Sequence, residues 1–326
     1  MRISILGGSG FLGRRLAARL AADGRLGGRA ISELTLFDLQ PPDPPPAAGF
    51  PVQCLGGDIA QLPPAAIPDG TDVVFHLAAV VSAQAEADYE LGRRVNLRGT
   101  DAVIDRCRRL AAPPRVVFTS SVASFSGGQG AVLADDARQV PANSYGAQKA
   151  AAELLLADAS RRRFLDAVIL RLPTIIVRPG RPNKAASSFV SAILREPLLG
   201  LHTDLPVAPD FALWVASPRR AVEWLLHAAT MDSAVMGIDR SVNPPGMSVT
   251  VAAILHALDA VKPGASALVR RVHDPATEKI VATWPAAFEA LRARTLGFAP
   301  HEPLVELVRA FIADDLDATR RERGLG

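Results

Sequence analysis

The chain has 326 residues, 49% of them apolar and 21% charged, a balance that excludes a disordered chain and supports a core needing neither metal nor disulfide. Its 36 basic and 33 acidic side chains leave a net charge of +3, and no basic tract with interleaved aromatics marks a nucleic-acid partner. No apolar run reaches the roughly 18 residues of a membrane span, the start Met1–Leu6 runs into a strand pattern instead of a secretory leader, and Cys54 and Cys107 lack any metal-ligand spacing. The expectation is a cytoplasmic protein that binds no metal, membrane or nucleic acid.

Short apolar runs alternate with helical patterns through the N-terminal half, which predicts an α/β fold with a doubly wound, mainly parallel sheet. The expected strands are Ile3–Leu6, Leu34–Asp38, Val73–Leu77, Val116–Thr119 and Ala167–Leu170, and the expected helices are Phe11–Leu20, Val95–Leu110 and 144–157. Pro41-Pro42-Asp43-Pro44-Pro45-Pro46 lacks backbone donors and reads as a surface excursion after the second strand.

Beyond about residue 172 the pattern breaks into proline-punctuated pieces. We expect a dinucleotide-binding domain over 1–172, with returns from about 208–230, and a smaller α+β substrate-binding lobe over 173–326 interleaved with it. Leu304, Leu307, Val308, Phe311 and Ile312 repeat at helical spacing and predict a last amphipathic helix before a charged, frayed tail.

Gly7-Gly8-Ser9-Gly10-Phe11-Leu12-Gly13 follows the first strand and opens the first helix, the context in which glycines let backbone N–H groups approach a pyrophosphate. The run satisfies both GxGxxG from Gly8 and GxxGxxG from Gly7, and spacing does not choose between them. Asp38 ends the second strand 25 positions beyond Gly13, where a carboxylate meets the adenosine ribose hydroxyls and repels a 2′-phosphate, so the expected cofactor is NAD. Asp58 and Ile59 are candidates for the adenine end, with an Asx turn as the alternative for Asp58.

Tyr145 and Lys149 lie four residues apart, one helical turn on one face. With two tyrosines and four lysines in the chain, chance predicts roughly 0.025 such pairs. A phenol titrates near ~10, and an ammonium beside it favours the phenolate, which suits a general base for a substrate hydroxyl. Ser121 closes the strand run Val116–Ser121, where open α/β sheets bind ligands; Thr119 and Ser120 compete for the same role.

Together, GGSGFLG at 7–13, HLAA at 76–79, Asn96, TSS at 119–121 and YGAQK at 145–149 resemble the extended short-chain dehydrogenase/reductases, the NAD-dependent epimerase/dehydratase family with a Rossmann-type fold. Leu6 departs from the threonine that many relatives carry there. The resemblance implies that Gly7, Gly10 and Gly13 form the fingerprint with Phe11 and Leu12, that Ser121, Tyr145 and Lys149 are catalytic, and that His76 to Ala79 wall the cofactor channel. It further implies cofactor contacts from Leu77, Ala78, Ala79, Asn96, Ser120, Tyr145, Lys149, Pro173 and Ile175, and a homodimer.

The strings at 170–189, 195–198 and 214–228 resemble a branch that oxidises the four-carbon sugar acid D-erythronate at C2. An acid substrate needs a carboxylate clamp, for which arginine supplies a planar fork. Ser121, Tyr145, Arg178, Asn183, Ser187, Trp214 and Arg219 are the expected substrate contacts, with Arg181 and Lys184 as further cations. Two other readings use the same motifs: a nucleotide-sugar epimerase or dehydratase, and a non-catalytic NAD-sensing regulator, although regulators tend to lose the tyrosine or the lysine.

Overall fold

The computed structural model describes residues 1–128, 130, 132–181 and 187–325. Asn183 and Lys184 lie outside the described residues. Contacts divide the chain into two units, the first made of Met1–Ser124, Asn143–Arg171 and Val222–Asn243, the second of Phe125–Ala142, Leu172–Ala221 and Pro244–Gly326.

The first unit holds a seven-stranded sheet built from β1 (Arg2–Leu6), β2 (Glu33–Asp38), β3 (Val52–Gly56), β4 (Val73–His76), β5 (Arg115–Ser121), β6 (Asp166–Leu172) and β7 (Ser241–Val242). Their order across the sheet is β7-β6-β5-β4-β1-β2-β3. The β1, β2 and β4 strands pair in parallel, with Leu6 level with Phe37 on one side and His76 on the other. From β1 the chain winds outward through β2 and β3, then crosses back to β4 and winds the other way. The crevice of such a sheet opens where that reversal occurs, beyond the C-terminal ends of β1 and β4.

All five expected strands are present. The structure adds β3 and β7, which the sequence pattern does not disclose. Val52–Gly56 is a partly exposed edge strand without a clean buried/exposed alternation, and Ser241–Val242 is only two residues long. Helices α1 (Phe11–Asp23), α2 (Gly99–Cys107) and α3 (Ser144–Arg161) flank the sheet. The helix expected over Val95–Leu110 is interrupted, because Arg93–Arg98 winds as a π-helix before α2 begins at Gly99. Such widened turns commonly mark functional sites. The core of this unit gathers Leu6, Phe37, Val74, Val116 and Phe118 from the strands with Val103, Ala152 and Leu156 from α2 and α3. The return of the chain falls at Val222–Asn243, not at 208–230. The cause is Ala212–Ala216, an apolar strand that pairs inside the second unit.

That second unit carries a three-stranded sheet of Thr174–Ile175, Ala212–Ala216 and Met247–Thr250, packed with the helices Ser188–Leu198, Val251–Val261 and Leu304–Phe311. Its C-terminal segment is not the frayed tail that its charge suggests. The chain continues as a π-turn over Ile312–Leu316 and a helix over Asp317–Glu322. Thr319 is 1% exposed and accepts from the Gly180 N–H at 3.3 Å. Arg323 pairs with Glu196, whose other carboxylate oxygen meets Arg195 Nε at 2.9 Å. Charged side chains that find buried partners order a segment whose composition alone reads as solvated. Arg323→Ala should therefore lower the unfolding free energy by about 1–3 kcal/mol in a urea titration, since it strips a partner from a buried carboxylate; a free tail would change it by less than about 0.5 kcal/mol.

Candidate active site

The glycine-rich turn bridges β1 and α1 and is shaped by its own backbone. Gly7 takes φ +95°, and a Cβ there would lie 2.6 Å from the Ala78 nitrogen. The Gly10 N–H donates to the Gly7 carbonyl at 3.1 Å. A Cβ on Gly13 would stand 2.1 Å from that same carbonyl oxygen, so α1 packs directly on the loop. A Cβ on Gly8 would meet the Pro42 ring at 3.0 Å and Leu36 Cβ at 3.2 Å, side-chain contacts and not backbone ones. Gly7 and Gly13 are thus the positions where backbone contact excludes any side chain, whereas a Cβ on Gly10 would come no closer than 3.2 Å to the Gly7 carbonyl oxygen. Gly10 is the N-cap of α1, whose first turn has no acidic residue, so its free N–H groups present a positive end to an anion.

Beside this loop lies a cleft of roughly 390 Å³ at the β1/β4 reversal, a volume suited to part of a cofactor. Gly7, Gly10, Asp38, Asp58, Ile59, Leu77, Ala78 and Ala79 line it, as expected for a dinucleotide site. The side chains of Phe11 and Leu12 do not; these residues form the first turn of α1. His76, expected as part of the wall, lies beneath it at 1% exposure, its Nε2 3.0 Å from Thr100 Oγ1. Burial first, and then the nearby Lys149 charge, push His76 down to about 3, so the imidazole is neutral. The wall is instead Leu77 to Val80.

Asp38 is held from two sides, Oδ2 accepting from Ser9 N–H at 2.9 Å and Oδ1 from Leu39 N–H at 2.7 Å. The contacts tie its carboxylate to the glycine-rich loop at the edge of the cleft, in keeping with a ribose-binding acid. Asp58 does both things that the sequence leaves open. It caps the short turn Ile59–Gln61 by accepting from Ala60 N–H at 2.9 Å, and it lines the cleft. Its second oxygen is 3.2 Å from Arg94, a cleft residue with no motif around it to betray its role. The residues present therefore fit a dinucleotide: a glycine cradle, a helix N-terminus for the pyrophosphate and an anchored acid for the ribose.

Asn96 serves this cleft indirectly. Its side chain accepts from Val80 N–H at 2.9 Å, donates to Val80 carbonyl at 3.1 Å and donates to Gln148 Oε1 at 2.7 Å. It thereby clips the cleft wall to α3 and is itself 2% exposed.

Asn143 starts α3 by accepting from Gly146 N–H at 2.8 Å, which places Tyr145 and Lys149 in successive turns. Tyr145 is partly exposed and Lys149 is 2% exposed. Lys149 Nζ donates to the Thr119 carbonyl at 2.8 Å and sits 4.5 Å from the Phe118 ring centroid and 5.7 Å from that of Tyr145. Burial pulls the Lys149 ammonium down to about 7, against the opposing pull of Glu153. The sequence reading takes Lys149 as an ordinary ammonium; in the structure burial weakens its hold on the proton and Glu153 opposes that loss.

The three strand-end hydroxyls have different surroundings. Ser120 turns inward and donates to Glu153. Thr119 Oγ1 faces the His76 carbonyl at 3.4 Å. Ser121, partly exposed, accepts from Ala123 N–H at 3.1 Å and keeps its O–H for another partner. Only its backbone leaves Ser120 available to a cofactor.

Of the other expected substrate contacts, Arg178, Ser187, Trp214 and Arg219 belong to the second unit. Arg219 is engaged by Asp314 through Nε at 2.7 Å and a terminal nitrogen at 2.5 Å, which raises its pKa further and removes it as an open clamp. Arg178 is partly buried, with Nε donating to Ile175 carbonyl at 3.3 Å and its N–H donating to Ser191 Oγ at 3.0 Å. Trp214 is buried with its ring centroid 6.0 Å from that of Phe288. Ser187 is buried at the start of the Ser188–Leu198 helix. Pro173 precedes the strand Thr174–Ile175, which begins the sheet of this unit.

Residues 3–214 match the model of the NAD dependent epimerase/dehydratase family. A protein of Cupriavidus necator named D-erythronate dehydrogenase is 48% identical, covering 96% of this chain and 98% of its own. One of the same name from Haemophilus influenzae is 38% identical over 97% and 100%. A crystal structure from Agrobacterium tumefaciens, described as a nucleoside-diphosphate-sugar epimerase, superposes with TM-score 0.91 at 42% identity, covering 97% of this chain and 95% of that one. A GalE-like L-threonine dehydrogenase from Cupriavidus necator, at TM-score 0.82 and 21% identity, shares the fold. With its glycine-rich turn, strand-end carboxylate and reversal-point cleft, the chain belongs to the NAD dependent epimerase/dehydratase family of extended short-chain dehydrogenases/reductases and is an NAD-dependent oxidoreductase acting on CH–OH groups.

Proposed function

We propose that the protein oxidises D-erythronate to 2-dehydro-D-erythronate. The observation that carries this reading is the grouping of Ser121, Tyr145 and Lys149 at the end of β5 and the start of α3, in the unit that holds the dinucleotide cleft. The substrate follows from the two near-full-length relatives named for that activity. NAD, when bound, supplies the hydride acceptor for the alcohol carbon. Tyr145 removes the proton from the C2 hydroxyl as general base. Lys149 holds the phenolate form by its charge, anchored on the Thr119 carbonyl. Ser121, whose O–H remains available, donates to the reacting oxygen. For the substrate carboxylate and hydroxyls, the sequence resemblance offers Arg178, Asn183, Ser187 and Trp214, of which arginine has the planar fork that suits a carboxylate. The Asp314 pair demotes Arg219 from that set.

A nucleotide-sugar epimerase is the second reading, favoured by the description of the Agrobacterium tumefaciens structure. An epimerase restores its cofactor within each cycle, whereas a dehydrogenase accumulates NADH. Purified protein with NAD and D-erythronate should give steady growth of NADH absorbance, and UDP-glucose should give none. Absence of NADH growth with D-erythronate defeats the dehydrogenase assignment, and epimer formation from the sugar nucleotide installs the alternative.

Tyr145→Phe removes the ionisable oxygen alone. It should cut turnover at least ~10²-fold, the scale of general-base catalysis, with NAD affinity within about twofold by calorimetry. Asp38→Ala should erode the preference for NAD over NADP by about tenfold or more in KM ratio, because the charge facing a 2′-phosphate is gone.

We also infer a cytoplasmic homodimer. The thiols Cys54 and Cys107 are unpaired, in keeping with a reducing compartment. Among the described residues no helix is long and apolar enough to cross a membrane. Leu154 and Leu155 on α3 are 71% and 40% exposed, beside a groove lined by Arg93, Leu97 and Arg98. Leu154→Glu should convert a dimer to monomer in sedimentation velocity; a wild-type protein already monomeric at micromolar concentration rejects the assembly.

A further inference from the structure

One buried charge lies outside the roles assigned so far. Glu153 is 2% exposed and stands one turn beyond Lys149 on the inner face of α3. Its Oε1 accepts from Ser120 Oγ on β5. Its Oε2 accepts from Arg171 Nε on β6 at 2.9 Å and from Ser241 Oγ on β7 at 3.0 Å. One carboxylate thus joins α3 to three adjacent strands.

Packing alone gives little reason for a charge there. Buried ion pairs contribute weakly to stability, because desolvating both partners offsets their attraction, and apolar residues of similar volume serve as well or better. A group that gains from a negative charge at this point is the Lys149 ammonium, a cation almost devoid of solvent. The groups facing that ammonium are few. From α3 come Tyr145 and Glu153, from β5 the Phe118 ring and the Thr119 carbonyl, and from β4 the neutral His76. Arg171 on β6 faces Glu153 and offsets part of its field.

We propose that Glu153 is a positioning residue for the reaction: its carboxylate is the counter-charge that keeps Lys149 an ammonium, and its bond to Ser120 fixes the strand end that presents Ser121. The inference rests on the assignment of Ser121, Tyr145 and Lys149 made above. Glu153 opposes the effect of burial on Lys149. Loss of its charge lets the lysine shed its proton at lower pH, and a neutral lysine no longer supports the phenolate.

The test is the pH profile of kcat for NADH formation from D-erythronate, with NAD affinity measured in parallel. Glu153→Gln keeps shape and hydrogen-bonding capacity and should move the alkaline limb of the profile down by about one pH unit, the lower end of the effect of a close opposite charge. NAD affinity should change less than about twofold. Arg171→Gln deletes the charge that offsets Glu153 and should move the same limb upward, a pair of opposite shifts that a merely structural brace would not produce. A limb that stays in place in folded, NAD-binding Glu153→Gln overturns the proposal. So does a downward shift, or none, in Arg171→Gln, which carries the test alone should Glu153→Gln fail to fold. Tyr145→Phe in the same series separates the two layers. If it retains turnover, the catalytic assignment itself falls; if it is inactive while the limb of Glu153→Gln is unmoved, only the role of Glu153 falls.

Discussion

A positive charge held in a dry interior is the constraint around which this site is arranged. Lys149 gives up nearly all of its hydration, a cost that only fixed oxygens and a nearby negative charge can offset. The Thr119 carbonyl supplies the first and Glu153 the second. Both depend on the register of α3 against the sheet, which the Asn143 cap, the strand ends of β5 to β7 and the buried network of Arg171, Ser120 and Ser241 hold together.

The cofactor end obeys a different constraint, close approach of backbone to backbone. Gly7 and Gly13 leave no room for a Cβ, and the Gly7 contact with Ala78 brings the loop after β1 against the loop after β4. These loops face each other because the strand order reverses between β1 and β4. Asn96 and Gln148 extend the arrangement to α3, so that the cleft wall and the Tyr145 helix are linked through one amide pair. The cleft wall and the helix that carries Tyr145 are therefore mechanically connected within one unit of the chain.

Much of this was legible from residue order where the signal is local. Gly7 to Gly13, Asp38 and the Tyr145/Lys149 pair are set by spacing along a turn, a strand or a helix, and the strands of the sheet centre are short apolar runs bounded by breakers. Elements whose stability comes from distant partners were not legible. β3 and β7 lack a strong pattern and exist because a neighbouring strand pairs with them. The π-turn at Arg93–Arg98 interrupts a helical periodicity that continues through it. Arg219 reads as a clamp until Asp314, 95 positions away, is brought to it. Arg94 and Glu153 carry no motif, although a lysine and a glutamate four apart on the tyrosine helix could have drawn notice.

By itself, the sequence determined which chemistry the chain can carry: a glycine turn able to accept a phosphate, a carboxylate at a strand end, a phenol and an amine one turn apart. These follow from backbone sterics and helical pitch, which act over a few residues. Tertiary structure alone decided which of three hydroxyls remains available, which wall residues face the cleft, and how much charge Lys149 retains. Those properties depend on burial and on groups remote in the chain, and electrostatic energy in a dry interior is set by what the fold brings near.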